Sequence, residues 1–473
     1  MAKQLIISVS GLRGIVGENL TPSIAAEYGC AFGTFLKERF LESRAMGHGS
    51  PPLLSSDRKT RRSVCIGRDS RTSGQMLMSA AAAGLCAVGV DVIDLGLVTT
   101  ASVAVMAKEL GCSGGIVITA SHNPIQYNGI KLLLGNGIAP PVDDAEQIKQ
   151  YFLDKNFAFV DSPDCGKVTS NELADTNHIN RVLSIVGKEL ISAKKFKVAL
   201  DSVNGAGGRV TKKLLAELGC EVTAVNDEPT GLFAHAPEPT RENVKELCEV
   251  VKTNKADIGF AQDPDADRLA IVDEAGTYIG EEYTLALAAK YIFSKRTGKA
   301  VTNLSTSRML DDIAAKAGGQ VIRTAVGEAH VANAMVEHNC IVGGEGNGGV
   351  IDLRVSPVRD SLVGIALILQ LMAETGKTIS QIVSEIGSFY MSKDKFAAEP
   401  NQAQQILELA TKTFTGAKLD TTDGCRFDFD DGWLHLRVSN TEPVMRVIVE
   451  ATDKDTAGKY LDTVLKMRAE VLG

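Results

Sequence analysis

The chain has 473 residues and a formal net charge of −8, with 44% hydrophobic and 23% charged residues. It is too long for one core, so roughly two to four domains are expected, and its ordinary composition excludes a disordered or fibrous chain. The acidic balance without a basic block argues against nucleic-acid binding, and no uncharged apolar run reaches membrane-spanning length.

The start, MAKQLIISVSGLRG, lacks a long apolar stretch with a small-residue cleavage site, so no signal peptide is expected. Nine cysteines are scattered singly with no CxxC pair. That pattern predicts reduced core thiols in a cytoplasmic protein, not a disulfide framework or a zinc site.

In chain order, VCIGRDSRTSGQMLMSAAAAGLCAVGVDVIDLG from Val64 reads as a strand, a polar loop, an amphipathic helix and a second strand. The same plan recurs in VALDSVNGAGGRVTKKLLAELGCEVTAV from Val198 and in AVTNLSTSRMLDDIAAKAGGQVIRTAVG from Ala300. Gly89, Gly219 and Gly319 suit the left-handed position after each helix. A unit of this length is a right-handed βαβ crossover, and three separated copies predict three similar α/β domains.

GGIVIT, Gly114 to Thr119, reads as a buried strand, and the Asn123-Pro124 turn soon after it puts Ser121 in a loop at the strand's carboxyl end. Ligands of α/β proteins bind at such ends. In QDPDADRLAIVDE, Asp263, Asp265 and Asp267 alternate just after the apolar ADIGFA. Three close carboxylates repel one another, and a hard divalent cation compensates them. An EF-hand register for Asp263, Asp265, Asp267 and Glu274 fails because Arg268 stands where glycine is needed. Magnesium, taking a few carboxylates and a phosphate oxygen, fits better, and Arg268 stands as though facing an anion.

GGEGNGGVID brackets Glu345 and Asn347 with glycines, and a carboxylate beside an amide suits a polyol. MSKDKFAAEPNQ, from Met391, reads as a charged linker. CRFDFDDGWLHLRVS and PVMRVIVEAT then read as an antiparallel sheet, and DKDTAGKYLDTVLKMRAEVL as a helix, giving a fourth domain of α+β type. In RVSNTEP, Arg437, Ser439, Asn440 and Thr441 offer a guanidinium fork, hydroxyls and an amide to a phosphate. A serine, a cation site, a polyol reader and a phosphate clamp, one from each domain, point to phosphoryl transfer on a sugar phosphate.

These four loops, in order over nearly the whole length, resemble those of the α-D-phosphohexomutase superfamily, the phosphoglucomutase, phosphomannomutase and phosphoglucosamine mutase group. TASHNP is similar to its phosphoserine loop, DPDADR to its metal loop, GEGNGG to its sugar loop and RVSNTEP to its phosphate loop. The resemblance implies three similar mixed α/β domains plus a C-terminal α+β domain around a central cleft, here residues 1–170, 171–277, 278–388 and 389–473.

It implies a phosphoserine at Ser121, with Mg2+ bound by Asp263, Asp265, Asp267 and a phosphoserine oxygen. Lys131 in YNGIK would be general acid or base, and Arg13 in GLRG, His122 and Arg268 would complete the catalytic set. Glu345 and Asn347 would bind the sugar, and Arg437, Ser439, Asn440 and Thr441 its other phosphate. The partner would be a phosphosugar passing through a 1,6-bisphosphate, bound by a monomer or homodimer with no nucleic acid or membrane involved.

Two departures bear on the sugar. Bacterial members often carry Ser at the Asn347 position and His at the Gly349 position, and Glu328 stands where many relatives have histidine. Asn347 is similar to N-acetylglucosamine-phosphate mutases and favours an aminosugar, so interconversion of glucosamine 6-phosphate and glucosamine 1-phosphate is the leading expectation. A phosphoglucomutase/phosphomannomutase is the alternative, and a non-catalytic sugar-phosphate-binding protein a distant one.

Overall fold

The computed structural model describes residues 5–9, 11–45, 62–438 and 444–472, with the backbone alone for 40–45. They form two compact units. The first joins Met1–Thr284 to Asn347–Ile379, and the second joins Leu285–Gly346 to Ser380–Gly473, so both are discontinuous in sequence.

The first unit holds a seven-stranded mixed sheet in the order Ile6–Ser8, Gly11–Ile15, Tyr127–Leu134, Gly114–Ile118, Ser63–Arg68, Asp91–Leu97, Val168–Ser170. Its central strands alternate across both faces, because both faces are covered by helices. Ile66, Ile116, Ile118 and Leu132 pack with Phe32, Phe35, Leu77 and Leu85 of helices Pro22–Ala45 and Gly74–Ala87. Cys65, Val117 and Leu133 pack on the other face with Val103, Ala104 and Met106 of helix Thr100–Glu109. Apolar runs without polar alternation are the sequence signature of such doubly covered strands.

A second sheet of this unit runs Leu269–Val272, Ile258–Gln262, Lys197–Asp201, Glu221–Val225, the first pair antiparallel and the others parallel. Helix Ser361–Thr375 completes the unit from far along the chain, with thirteen buried residues and an N-cap from Asp360, whose side chain accepts from Leu362 N and Val363 N. Gln262 Nε2 donates to Ser361 Oγ at 2.7 Å, and Gly187 N to Gln370 Oε1 at 2.8 Å.

In the second unit the strands Gln320–Thr324, Lys299–Asn303 and Val342–Glu345 pair in parallel. Five antiparallel strands follow, in the order Tyr390–Ala397, Val444–Ala451, Gly432–Val438, Cys425–Asp428, Lys418–Asp420. Helices Pro400–Thr413 and Lys454–Leu472 cover one face through Ile406, Ala410, Val464 and Met467. The architecture is thus α/β with a C-terminal α+β part. Among the described residues no single helix is long and apolar enough to cross a membrane. Five of the nine cysteines are buried and four are partly exposed.

All three expected strand–helix–strand units form parallel pairs, Ser63–Arg68 with Asp91–Leu97, Lys197–Asp201 with Glu221–Val225, and Lys299–Asn303 with Gln320–Thr324. Gly89 and Gly219 take left-handed φ of 80° and 71°, but in the third unit the place belongs to Gly318 at 69°, not Gly319. Gly319 is there for space, since a Cβ on it would lie 2.5 Å from Phe293 Cε1. The expected linker at Met391 is also corrected. It is the edge strand Tyr390–Ala397, whose charges face solvent as edges tolerate, and Pro400 opens the next helix.

Candidate active site

The strand Gly114–Ile118 is wholly buried and delivers Ser121 into a loop where its φ is 49°. A left-handed serine is strained, by about 1–2 kcal/mol, and such strain gathers at functional sites. Ser121 N donates to Thr119 Oγ1 at 2.9 Å, and Thr119 Oγ1 donates to Asp69 Oδ2 at 2.6 Å. The hydroxyl itself donates to Asp263 Oδ2 at 2.9 Å and lies 3.2 Å from His122 Nδ1.

The loop is held from beneath by Arg71, which sequence reasoning did not single out. Its Nη2 donates to the carbonyls of Ser121 (2.6 Å) and Asn123 (2.7 Å), its Nη1 to those of Pro124 (2.9 Å) and Tyr127 (3.0 Å). Nε pairs with Asp69 Oδ2 at 3.1 Å, and both side chains are fully buried. The signal that could have found it is Asp-Ser-Arg directly after an apolar strand, where a second charge at i+2 can satisfy a buried first. Arg13 reaches the same loop, donating from Nη1 to Asn123 Oδ1 at 3.0 Å.

Asp263, Asp265 and Asp267 follow the buried strand Ile258–Gln262 and are themselves completely buried. One carboxylate oxygen of each lies within 4.8 Å of the others. Asp263 Oδ1 accepts from the backbone N–H of Asp267 and Arg268, both at 3.1 Å, which turns Oδ2 toward Ser121. Lys131 Nζ bridges Asp265 Oδ2 at 2.7 Å and Asp267 Oδ2 at 3.1 Å, and Thr100 Oγ1 donates to Asp265 Oδ2 at 2.6 Å.

Asp265 Oδ1 and Asp267 Oδ1 are buried with no hydrogen-bond partner. Orphaned carboxylate oxygens in a closed trio fit a hard cation such as Mg2+, which takes oxygen ligands. Burial and the neighbouring Asp267 and Asp265 push the Asp263 carboxyl well above its ordinary range. Burial would raise Asp267 too, but Arg359, Lys131 and Arg268 outweigh it and hold that carboxyl below the usual range. Partial burial with the Arg268 and Arg13 guanidiniums depresses His122 well below an ordinary histidine, so its ring is neutral near pH 7.

Arg268 Nη1 pairs with Glu238 Oε1 at 2.7 Å. In the second unit Glu345 Oε1 accepts from Asn303 Nδ2 (2.7 Å) and Gly327 N (3.2 Å), and Arg437 Nε lies 3.2 Å from Asp423 Oδ2. Asn347 belongs to the first unit and is half-buried. Ser439, Asn440 and Thr441 lie outside the described residues.

The structure therefore brings Ser121, His122, Lys131 and the three aspartates into direct contact, with Arg13 joined through Asn123. A serine hydroxyl against a carboxylate trio and an ammonium, on this fold, defines the class: the chain is a phosphohexomutase, an isomerase. It belongs to the phosphoglucomutase/phosphomannomutase family, whose alpha/beta/alpha domains I, II and III match residues 4–159, 176–276 and 281–389 and whose C-terminal domain matches 392–467.

It is 39% identical to a phosphoglucomutase/phosphomannomutase of Thermococcus kodakarensis, over 98% of each chain. It is 34% identical to a "Probable phosphoglucosamine mutase" of Methanopyrus kandleri, over 96% of this chain and 95% of that one. A crystal structure of a phosphoglucomutase/phosphomannomutase family protein from Burkholderia thailandensis superposes with a TM-score of 0.83 at 27% identity, covering 98% of both chains.

Proposed function

We propose that the chain moves a phosphoryl group between C6 and C1 of glucosamine phosphate, with Ser121 as the carrier and a 1,6-bisphosphate as intermediate. The observation that carries the mechanism is the Ser121 hydroxyl, 2.9 Å from one carboxylate of a buried trio in which two oxygens lack a hydrogen bond. In the forward half-reaction a sugar hydroxyl oxygen bonds to phosphorus as the bond from phosphorus to Ser121 Oγ breaks. The hydroxyl proton leaves to a base and Oγ is reprotonated.

Lys131 is the group we assign to general acid–base work on the sugar oxygen, donating as an ammonium and accepting only once it has given up a proton, and neutral His122, 3.2 Å from Oγ, can hold the serine's. A cation on Asp263, Asp265 and Asp267 would neutralise charge on the transferring oxygens. Arg13 orients the serine loop through Asn123, and Arg268, drawn off Glu238, can meet a phosphoryl oxygen. We assign the sugar's hydroxyls or amine to Glu345 and Asn347, and its other phosphate to Arg437 with Ser439, Asn440 and Thr441. We propose domain boundaries near 170, 277 and 388, a reading supported by family matches that end at 159, 276 and 389.

A second reading, glucose or mannose phosphate, is favoured by the relative at 39% identity, which is named for those sugars. Turnover measured side by side on glucosamine, glucose and mannose phosphates decides between them. Activity should vanish on chelation and return with Mg2+; full activity in excess chelator would remove the cation from the mechanism.

Replacing Arg437 tests the phosphate assignment separately. Arg437→Ala should raise KM for every sugar phosphate by roughly ten- to a hundredfold, since a charge-assisted contact is worth about 1.5–3 kcal/mol. A changed preference among sugars with unchanged KM would show that Arg437 reads the ring instead.

A further inference from the structure

Arg359 lies just before helix Ser361–Thr375 and belongs to none of the four loops. Its Nη2 donates to Asp267 Oδ2 at 2.7 Å, the same oxygen that Lys131 approaches at 3.1 Å, so Asp267 Oδ1 is the oxygen left without a hydrogen bond. The arginine's stem occupies the space above Gly349. A Cβ there would come within 2.1 Å of Arg359 Cδ and 2.6 Å of Cγ. Gly349 has no left-handed φ, so the glycine serves space and not backbone conformation.

The next residue anchors the arginine's backbone. Asp360 N donates to Val350 O at 2.9 Å, and its Oδ2 meets His178 Nε2 at 2.6 Å. The other nitrogen of His178 lies 2.9 Å from Ser102 Oγ.

We infer that Arg359, admitted by Gly349, is a built-in counter-cation of the carboxylate trio that orients Asp267 and weakens the trio's hold on a divalent ion. The inference rests on the reading of the trio as a cation site. Three cationic side chains already stand against the trio: Lys131 and Arg359 hydrogen-bond to it, and Arg268 Nε lies 4.0 Å from Asp267 Oδ1. An entering divalent ion meets the fixed charge of Arg359 across one carboxylate, at a separation where like charges in a protein repel strongly. Lys131 still grips Asp267 Oδ2 when the guanidinium is gone, so removing the arginine lifts the repulsion without freeing the ligand.

The test is Mn2+ binding, followed by the electron paramagnetic resonance of the free ion, to the full chain freed of covalent phosphate as verified by intact mass. Arg359→Met should bind Mn2+ about tenfold more tightly than the unsubstituted chain, or better, and Arg359→Lys, which keeps the charge, should stay within about threefold. Gly349→Ala should move affinity in the same direction as Arg359→Met, and the double variant should add nothing further.

A merely loosened site binds more weakly, so the direction of the change separates the two explanations. Unchanged or weaker binding by folded Arg359→Met overturns the inference, and if that variant does not fold, the same result for Gly349→Ala overturns it. An unsubstituted chain that binds no Mn2+ overturns the cation site itself, and the inference with it.

Discussion

Ser121→Ala is expected to lower mutase turnover by a factor on the order of 10⁴ or more while the chain still folds, because it removes the hydroxyl we propose as the phosphoryl carrier. The alanine meets the same left-handed backbone at φ 49°, so no new strain enters. The lost hydroxyl was a donor to Asp263 Oδ2, and its removal costs about 1–3 kcal/mol of stability at most. Two measurements belong together here, steady-state turnover and intact mass before and after exposure to a sugar bisphosphate. The unsubstituted chain should take up one phosphate and the variant none. Turnover within tenfold of the parent, in a preparation free of contaminating enzyme, would take the carrier role away from Ser121.

Arg71→Met should be the most damaging substitution for stability around the site. The buried guanidinium supplies donors to four loop carbonyls and a counter-charge to the buried Asp69. Burial already raises the Asp69 carboxyl despite its arginine, and without the arginine that group is left as an unpaired buried acid. Breaking such a pair costs about 3–5 kcal/mol.

Arg71→Lys should recover only part of that stability, since one ammonium cannot serve carbonyls spread from Ser121 to Tyr127. A loop misplaced by about 1 Å loses roughly a hundredfold in rate, so kcat should fall alongside stability. Hydrogen exchange across residues 119–128, with thermal unfolding, gives the readout. Unchanged protection of that segment in Arg71→Met would show that the loop holds its own shape.

How far the sequence reached depends on the range of the forces involved. The three strand–helix–strand units were legible because an apolar run, a turn and a glycine-ended helix are all local. The third glycine was misplaced by one residue because Gly318 and Gly319 are equivalent locally, and the distant Phe293 and Gly298 tell them apart. MSKDKFAAEP passed for a linker because its charges hid a strand, whose partner Val444–Ala451 lies far along the chain.

The aspartates stood out through their spacing, and the structure seats Ser121 against Asp263 across 142 residues. Arg71, Arg359 and the Glu238 partner of Arg268 were not legible. Each acts on a segment remote in sequence, and the two arginines look like surface charges until the fold encloses them.

The discontinuity of the first unit has a consequence for how the protein is made. When the ribosome has finished Thr284, both sheets of that unit exist but helix Ser361–Thr375, with its thirteen buried residues, does not. At about 5–20 residues per second the missing helix arrives roughly 5–20 s later, after a stretch that belongs to the other unit. Until then the apolar surface meant for that helix stays uncovered, and Asp267 waits for Arg359. The nascent chain thus passes through an interval in which apolar surface is bare and its carboxylate trio lacks one counter-cation, and a transcript cut short anywhere before the helix leaves it in that condition for good.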